Sequence, residues 1–244
     1  GLPTVEEETF DAYEVGLKTD LDGGRIRINT AAFMYAYDNL QYQATDPEVF
    51  QGGVGNIPKS EIYGAELEFG AFLTDSLLFD ARLAWLKTEI TSSHLALDNV
   101  QSEAATNALL AQGVSLFSEE VEIARAAEIE DIKGNELPKT PSLTGNIALT
   151  HTASLNGFGE LKTSLSLTYR GDFKHRVFNN DVTDQVGSYT TIDMLMKLTP
   201  DGSPWTVELI GKNLTDRDGI NARFTDVFGV GATGDQFIPP RHLS

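Results

Sequence analysis

Four pairs of alternating apolar and polar segments, each closed by a short turn and separated by long polar stretches, constrain this chain more than any other feature. The first pair runs Ala12 to Leu21 and Arg25 to Gln41 around Asp22-Gly23-Gly24. The second runs Ser60 to Leu73 and Leu77 to Ile90 around Thr74-Asp75-Ser76, and the third Leu143 to Leu155 and Phe158 to Gly171 around Asn156-Gly157. The fourth runs Tyr189 to Leu198 and Trp205 to Leu214 around Pro200 to Pro204. Asn-Gly and Gly-Gly supply the positive φ that tight hairpins need. The alternate connections, Tyr42 to Lys59, Thr91 to Pro138, Asp172 to Ser188 and Thr215 to Phe237, are all long. Short turns at one end and long loops at the other are the rhythm of an outer-membrane β-barrel, whereas soluble sandwiches mix loop lengths at both ends.

The faces agree with that reading. Leu77, Phe79, Ala81, Leu83 and Trp85 alternate with Leu78, Asp80, Arg82, Ala84, Leu86 and Thr88, and Leu161, Thr163, Leu165, Leu167 and Tyr169 alternate with Lys162, Ser164, Ser166, Thr168 and Arg170. Each apolar face spans roughly the 9–11 residues a tilted strand uses to cross hydrocarbon. Phe72, Phe158 and Trp205 lie beside short turns, and Trp85, Tyr169 and Tyr189 toward long loops, as interfacial girdles require. A large soluble antiparallel sheet with one packed face would alternate in the same way.

Composition removes other classes. The net charge of −18 repels phosphate backbones, so nucleic acid is not an expected partner. The absence of Cys excludes a disulfide scaffold and thiolate chemistry. The run of apolar residues needed for a transmembrane helix does not occur, which leaves membrane-crossing strands open. The opening Gly1 to Glu8 has neither a basic nor an apolar signal region, so any export signal is expected upstream or already removed.

The Thr91 to Pro138 connection is expected to be partly helical. Ser102 is placed to cap a helix from Glu103 to Gln112, and Ser118 to cap an acidic one from Glu119 to Lys133. The acidic face reads as solvated.

Several stretches resemble, in order, the C-terminal half of the barrel of TonB-dependent outer-membrane receptors. They are Thr9 to Lys18, Ala32 to Gln41, Glu61 to Glu68, Leu137-Pro138-Lys139-Thr140-Pro141 and Gly211-Lys212-Asn213-Leu214-Thr215-Asp216, the last like the family's asparagine-leucine signature. In physical terms, Gly64 and Gly70 relieve crowding on the inner face, Pro138 and Pro141 stand where ladder pairing has not begun, and Asn213 is a turn former. The resemblance implies an all-β fold: an antiparallel transmembrane β-barrel, here eight clear strands plus the start of a ninth at Phe237, of a larger barrel of about 22 strands. It implies that residues 1–244 are a C-terminal portion of that barrel, with 91–138 a long, partly helical extracellular loop inserted within it, and with plug and final strand missing. It implies a Gram-negative outer-membrane location, contact with outer-membrane lipid, capture and active uptake of a scarce nutrient such as a ferric siderophore, energy from the TonB complex through the plug, and no bound cofactor. Oligosaccharide or cobalamin uptake, a passive porin and a soluble glycan-binding module are the alternatives.

Chemistry-bearing motifs are few. Gly229-Val230-Gly231-Ala232-Thr233-Gly234 spells a dinucleotide fingerprint, but Asp235 to Pro240 cannot begin the helix that motif needs. Asn213-Leu214-Thr215 matches a glycosylation sequon that a bacterial outer membrane renders accidental. His94, His151, His175 and His242 lack zinc-ligand spacing. Glu66 and Glu68 share one strand face and read as lumen-lining acids, and no nucleophile motif occurs, so an enzyme is not expected. The substrate-binding candidates are Tyr169, Arg170, Phe173, Lys174, His175, Arg176 and Phe178, where cations and aromatics together suit an anionic, partly aromatic ligand. Asp46, Glu48 and Asn56 are candidates for hydrogen bonds to a sugar or cobalamin.

Overall fold

The computed structural model describes residues 4–226 and 232–244. In chain order the strands are β1 (Thr9–Leu21), β2 (Ile26–Thr45), β3 (Gly52–Thr74), β4 (Leu77–Ile90) and β5 (Leu95–Leu97). Helices α1 (Asn99–Ala111) and α2 (Glu119–Ala126) follow, then β6 (Ile129–Asp131), β7 (Leu143–Ser154), β8 (Gly159–Arg170), β9 (Phe173–Lys174) and β10 (Gln185–Val186). The chain continues with β11 (Tyr189–Pro200), β12 (Val207–Lys212), β13 (Ile220–Thr225), β14 (Thr233–Phe237) and β15 (His242–Leu243). Among the described residues, nine strands form one antiparallel sheet in the order β1-β2-β3-β4-β7-β8-β11-β12-β15, and the sheet does not close on itself. No described helix is long and apolar enough to cross a membrane.

The register sorts side chains into two faces, because residues paired across neighbouring strands point the same way. One row reads Leu17, Thr30, Leu67, Leu83, Gly145 and Tyr169, and the next Ile28, Phe69, Ala81, Ile147, Leu167 and Ile192. Between them on the opposite face lies Lys18, Asn29, Glu68, Arg82, Asn146, Thr168 and Thr191. The apolar face is uncovered: Leu83, Trp85, Ile147, Leu149, Leu165, Leu167, Val207 and Leu209 are all exposed. Water does not tolerate so large a contiguous apolar surface, whereas hydrocarbon requires it. A soluble sheet would have packed that face, so the alternation is that of a membrane wall.

Inside the sheet, Gly64 does what its position requires. A Cβ there would stand 2.2 Å from Phe33 Cζ, so the glycine lets the Phe33 ring lie flat over β3.

Four expectations are corrected. Residues 42–59 are not a loop: β2 and β3 continue pairing to Thr45 and Gly52, leaving only 46–51 as the turn. The alternation there lacked a lipid-length apolar face because that part of the hairpin stands beyond the membrane. The helix expected at Glu103 begins instead at Asn99, with Asp98 as its cap and Ser102 buried inside it, and the helix capped by Ser118 ends at Ala126, where the chain turns into β6 to pair with β5. The ninth strand of the sheet is β15, while Phe237 ends β14 in a separate two-stranded hairpin with β13. Of the expected girdle, Trp85 and Tyr169 are on the apolar face, but Phe72, opposite Leu78, and Tyr189, opposite Arg170, fall on the other. The glycine-rich motif lies partly outside the described residues; Thr233 and Gly234, which are described, belong to β14, a strand.

Candidate functional site

The long connections gather into a crown on the projecting β2–β3 hairpin. β2 has 20 residues and β3 has 23, about twice what a tilted strand needs to cross hydrocarbon. The surplus gives the loops a surface to fold on. Ile57, Ile90, Ala96, Ile132, Leu137 and Val177 form a buried core with Leu40, Tyr42, Ile62 and Phe178 packed against it. Residues of the 91–138 and 171–188 connections thus pack onto Ile57 of β3 and Ile90 of β4 to make a small interior at the loop end of the sheet.

A buried polar network fastens that interior. Arg176 Nη1 donates to Asp98 Oδ1 at 2.6 Å and Nη2 to Asp98 Oδ2 at 3.2 Å, while its Nε donates to Asp184 Oδ1 at 2.7 Å. Asp98 also caps α1 by accepting from the backbone N–H groups of Val100 and Gln101, so one carboxylate both starts the helix and pins it to the 171–188 connection. His175 Nε2 lies 2.8 Å from Thr225 Oγ1 and its Nδ1 lies 3.2 Å from the Asp184 carbonyl, which brings β13 into the same network. Burial pushes the His175 imidazole below its ordinary pKa, against the opposing pull of the Asp184 carbonyl. Arg223 grips Asp235 through Nε and Nη2 at 2.6 and 2.9 Å, holds the Asp235 carboxyl below its usual range, and donates to the Gln185 carbonyl at 3.1 Å.

The sequence-predicted residues therefore fall into two groups. Phe173, His175 and Arg176 are buried, and Lys174 is largely covered and ion-paired with Asp181. Phe178 packs on the crown core and lies under the Arg176 guanidinium, 5.0 Å from ring to Arg176 Cζ. Arg170 stacks on Phe173 at 4.4 Å and donates to the Asn221 carbonyl, while Tyr169 is on the apolar face of β8. The cations come together as struts between loops, each with a carboxylate or carbonyl partner. Asp46 accepts from the backbone of Glu48 and Val49 in the hairpin turn, and Asn56 donates to the Asn39 carbonyl and to that of Glu6.

Two cavities open beside this framework. One of about 260 Å³ is walled by Gln43, Lys139, Arg176, Phe178, Arg223 and Phe224, among others. The other, of about 590 Å³, is bounded by Tyr42, Asn56, His94 and Leu97. In it Tyr42 Oη lies 2.9 Å from His94 Nε2, and burial pushes the Tyr42 phenol up to about 12 and the His94 imidazole down. Asp98, Asp184, Arg223, Tyr42 and His94 carried no local signal in the sequence, since their partners lie on other connections.

The sequence profile of the family described as TonB dependent receptor-like, beta-barrel matches residues 1–214. The chain belongs to that family. Its sheet is therefore part of a TonB-dependent receptor barrel of the Gram-negative outer membrane. Among solved structures, the receptor barrel is similar to the siderophore receptor PiuA from Acinetobacter baumannii, with 18% identity and a TM-score of 0.65 over 95% of this chain and 27% of that one. It is similar to the ferric yersiniabactin uptake receptor FyuA from Yersinia pestis, with 16% identity and a TM-score of 0.67 over 97% of this chain and 29% of that one. It is also similar to the copper transporter OprC, with 13% identity and a TM-score of 0.64 over 98% and 31%. The chain thus spans less than a third of the length of these proteins. A search of curated proteins finds no match.

Proposed function

We propose that residues 1–244 are a C-terminal portion of a receptor that captures a scarce nutrient at the cell surface and carries it into the periplasm by TonB-driven active transport. The whole receptor is a transporter rather than an enzyme, and its energy arrives through a plug contributed by another part of the protein. The observation that carries this reading is the family match over 1–214, joined to a sheet whose uncovered apolar face is built for lipid. A ferric siderophore is the cargo that the names of PiuA and FyuA support. In this reading the 91–138 insertion and the 171–188 segment, with Tyr169, Arg170, Phe173, Lys174, His175, Arg176 and Phe178, contribute to recognition chiefly by holding the vestibule in shape. The test is growth on ferric chelates under iron limitation, with the receptor gene deleted and restored, in cells with and without TonB. Rescue that needs both receptor and TonB is expected. Uptake that persists without TonB would replace the proposal with a passive porin.

A further inference from the structure

On the lipid-facing side of the sheet, charge is confined to one region. The register places Asp11, Asp38, Lys59, Glu61, Lys87 and Glu89 on that side, all at the crown end of β1 to β4. Among the paired residues of the other five strands, that side holds no Asp, Glu, Lys or Arg. The charges begin where the apolar band ends: Trp85, 48% exposed, precedes Lys87 on the same face of β4, and Tyr63 stands directly opposite Lys87 on β3. Strands β3 and β4 have paired neighbours on both sides, so this is the middle of the wall, at the depth where the outer leaflet changes from hydrocarbon to headgroup.

The two lysines are loosely held. Lys59 Nζ lies 3.8 Å from Asp38 Oδ1 and Lys87 Nζ 4.0 Å from Glu89 Oε2, and the lysine side chains are 70% and 65% exposed. Pairs this long and this open contribute little, so each ammonium can exchange its carboxylate for a stronger anion. A lysine at this depth lays its stem along the apolar surface and puts its charge among the headgroups. Tyr63 Oη donates to Glu61 Oε2 at 2.6 Å, and Glu61 stands directly opposite Glu89. Like charges opposed across a strand pair repel, and hydrogen-bond donors set between them relieve it.

This pattern selects among lipids. A plain phosphodiester head brings negative charge and few donors to a region where four carboxylates accompany two ammonium groups. A phosphorylated sugar head brings phosphates for the lysines together with hydroxyl and amide donors for the carboxylates. Lys59 is four residues along β3 from Tyr63, the partner of Lys87, which sets the two cations roughly 13 Å apart at strand spacing and leaves room for sugar rings between two phosphates.

We propose that this region docks a phosphorylated glycolipid of the outer leaflet, with Lys59 and Lys87 meeting its phosphates and Glu61, Glu89 and Tyr63 its sugar hydroxyls. The site is on the outside of the wall and independent of the cargo. The test titrates the full-length receptor, stripped of lipid in detergent, with diphosphoryl lipid A, fully dephosphorylated lipid A and phosphatidylglycerol, read by native mass spectrometry. Diphosphoryl lipid A is expected to bind tightest of the three. Lys59→Gln with Lys87→Gln is expected to weaken it about thirtyfold, the contribution of two lysines beside an anionic lipid surface, while Lys59→Arg with Lys87→Arg keeps it within about threefold of wild type. Unchanged heat-modifiable gel mobility in both variants is expected to show an intact barrel. A loss below about threefold in the glutamine variant, or an equal loss in the arginine variant, would overturn the site. Phosphatidylglycerol binding as tightly as diphosphoryl lipid A would overturn the glycolipid assignment, and dephosphorylated lipid A doing so would overturn the role of the lysines; neither result bears on the uptake reading.

Discussion

Removing the Arg176 guanidinium tests whether the crown is held by its buried network. The Arg176 side chain is 9% exposed, Asp98 4% and Asp184 0%, so Arg176→Ala strands two carboxylates away from water. Breaking a buried pair by deleting one partner costs about 3–5 kcal/mol. The lower end applies here, because Asp98 keeps the Val100 and Gln101 N–H donors, and Asp184 keeps the Asn180 N–H and the Thr183 hydroxyl. About 3 kcal/mol at about 1.4 kcal/mol per tenfold is roughly a hundredfold rise in local opening. Amide hydrogen exchange by mass spectrometry on the full receptor reads this directly in peptides covering α1 and the β9–β10 hairpin. Arg176→Lys keeps the charge without the fork that reaches both carboxylates, so an intermediate effect is expected. A rise below threefold in those peptides, or one spread evenly over the strands of the sheet, would refute the reasoning.

Other outcomes follow from separate features. Buried neutral His175 binds a proton less readily than its unfolded counterpart, so the crown's stability is complete above about pH 6.5 and falls as pH drops below it; protection factors of the 171–188 segment, which correct exchange for the pH dependence of its intrinsic rate, should fall from pH 7 to pH 5 in wild type and less in His175→Gln. Gly64→Ala drives a Cβ into the Phe33 ring and should cost about 1–3 kcal/mol, seen as a lower temperature for loss of heat-modifiable gel mobility. Asn213 sits at φ 47° and bonds to Arg217 O and Pro239 O, each at 3.0 Å; Asn213→Ala should cost about 1–3 kcal/mol and slow barrel assembly in pulse-chase folding assays. Arg125 lies 4.6 Å over Phe50 at the tip of the β2–β3 hairpin, and Phe50→Ala should loosen α2 by about 0.5–1 kcal/mol, read as faster exchange confined to the helical insertion.

What the sequence revealed and concealed divides along a physical line. Period-2 patterning and turn chemistry are local, so the turns at Asp22-Gly23-Gly24 and Asn156-Gly157 and the pairing of their flanking strands were legible from neighbouring residues. The hairpin extension past Tyr42 was not, because its partners are crown residues rather than lipid, and its pattern follows the folding of three loops. The basic run around Lys174 to Arg176 was visible as charge, while its acid partners Asp98 and Asp184 stand 78 and 8 positions away and could not be matched to it beforehand. Asp98 displaced Ser102 as the helix cap for the same reason: its second bond, to Arg176, exists only in the folded crown.

The crown and the wall obey opposite solvents, and that explains where the ion pairs are. Within the membrane the sheet satisfies its backbone strand to strand and needs no core, since lipid covers the apolar face. Beyond the membrane the same chain builds an interior from its loops and the strand ends beneath them: Ile57, Ile90, Ala96, Ile132, Leu137 and Val177 form its core cluster, and Leu97, Val121, Phe173 and Val186 are buried elsewhere in the loops. Apolar burial is not directional and does not by itself fix which loops meet. Directional contacts do: a helix cap shared with Arg176, a His–Thr bond across connections and the Arg223 bond to the Gln185 carbonyl each join elements distant in sequence. The insertion should therefore lose order first at low pH or in the Arg176 variant, with the nine-stranded wall still intact.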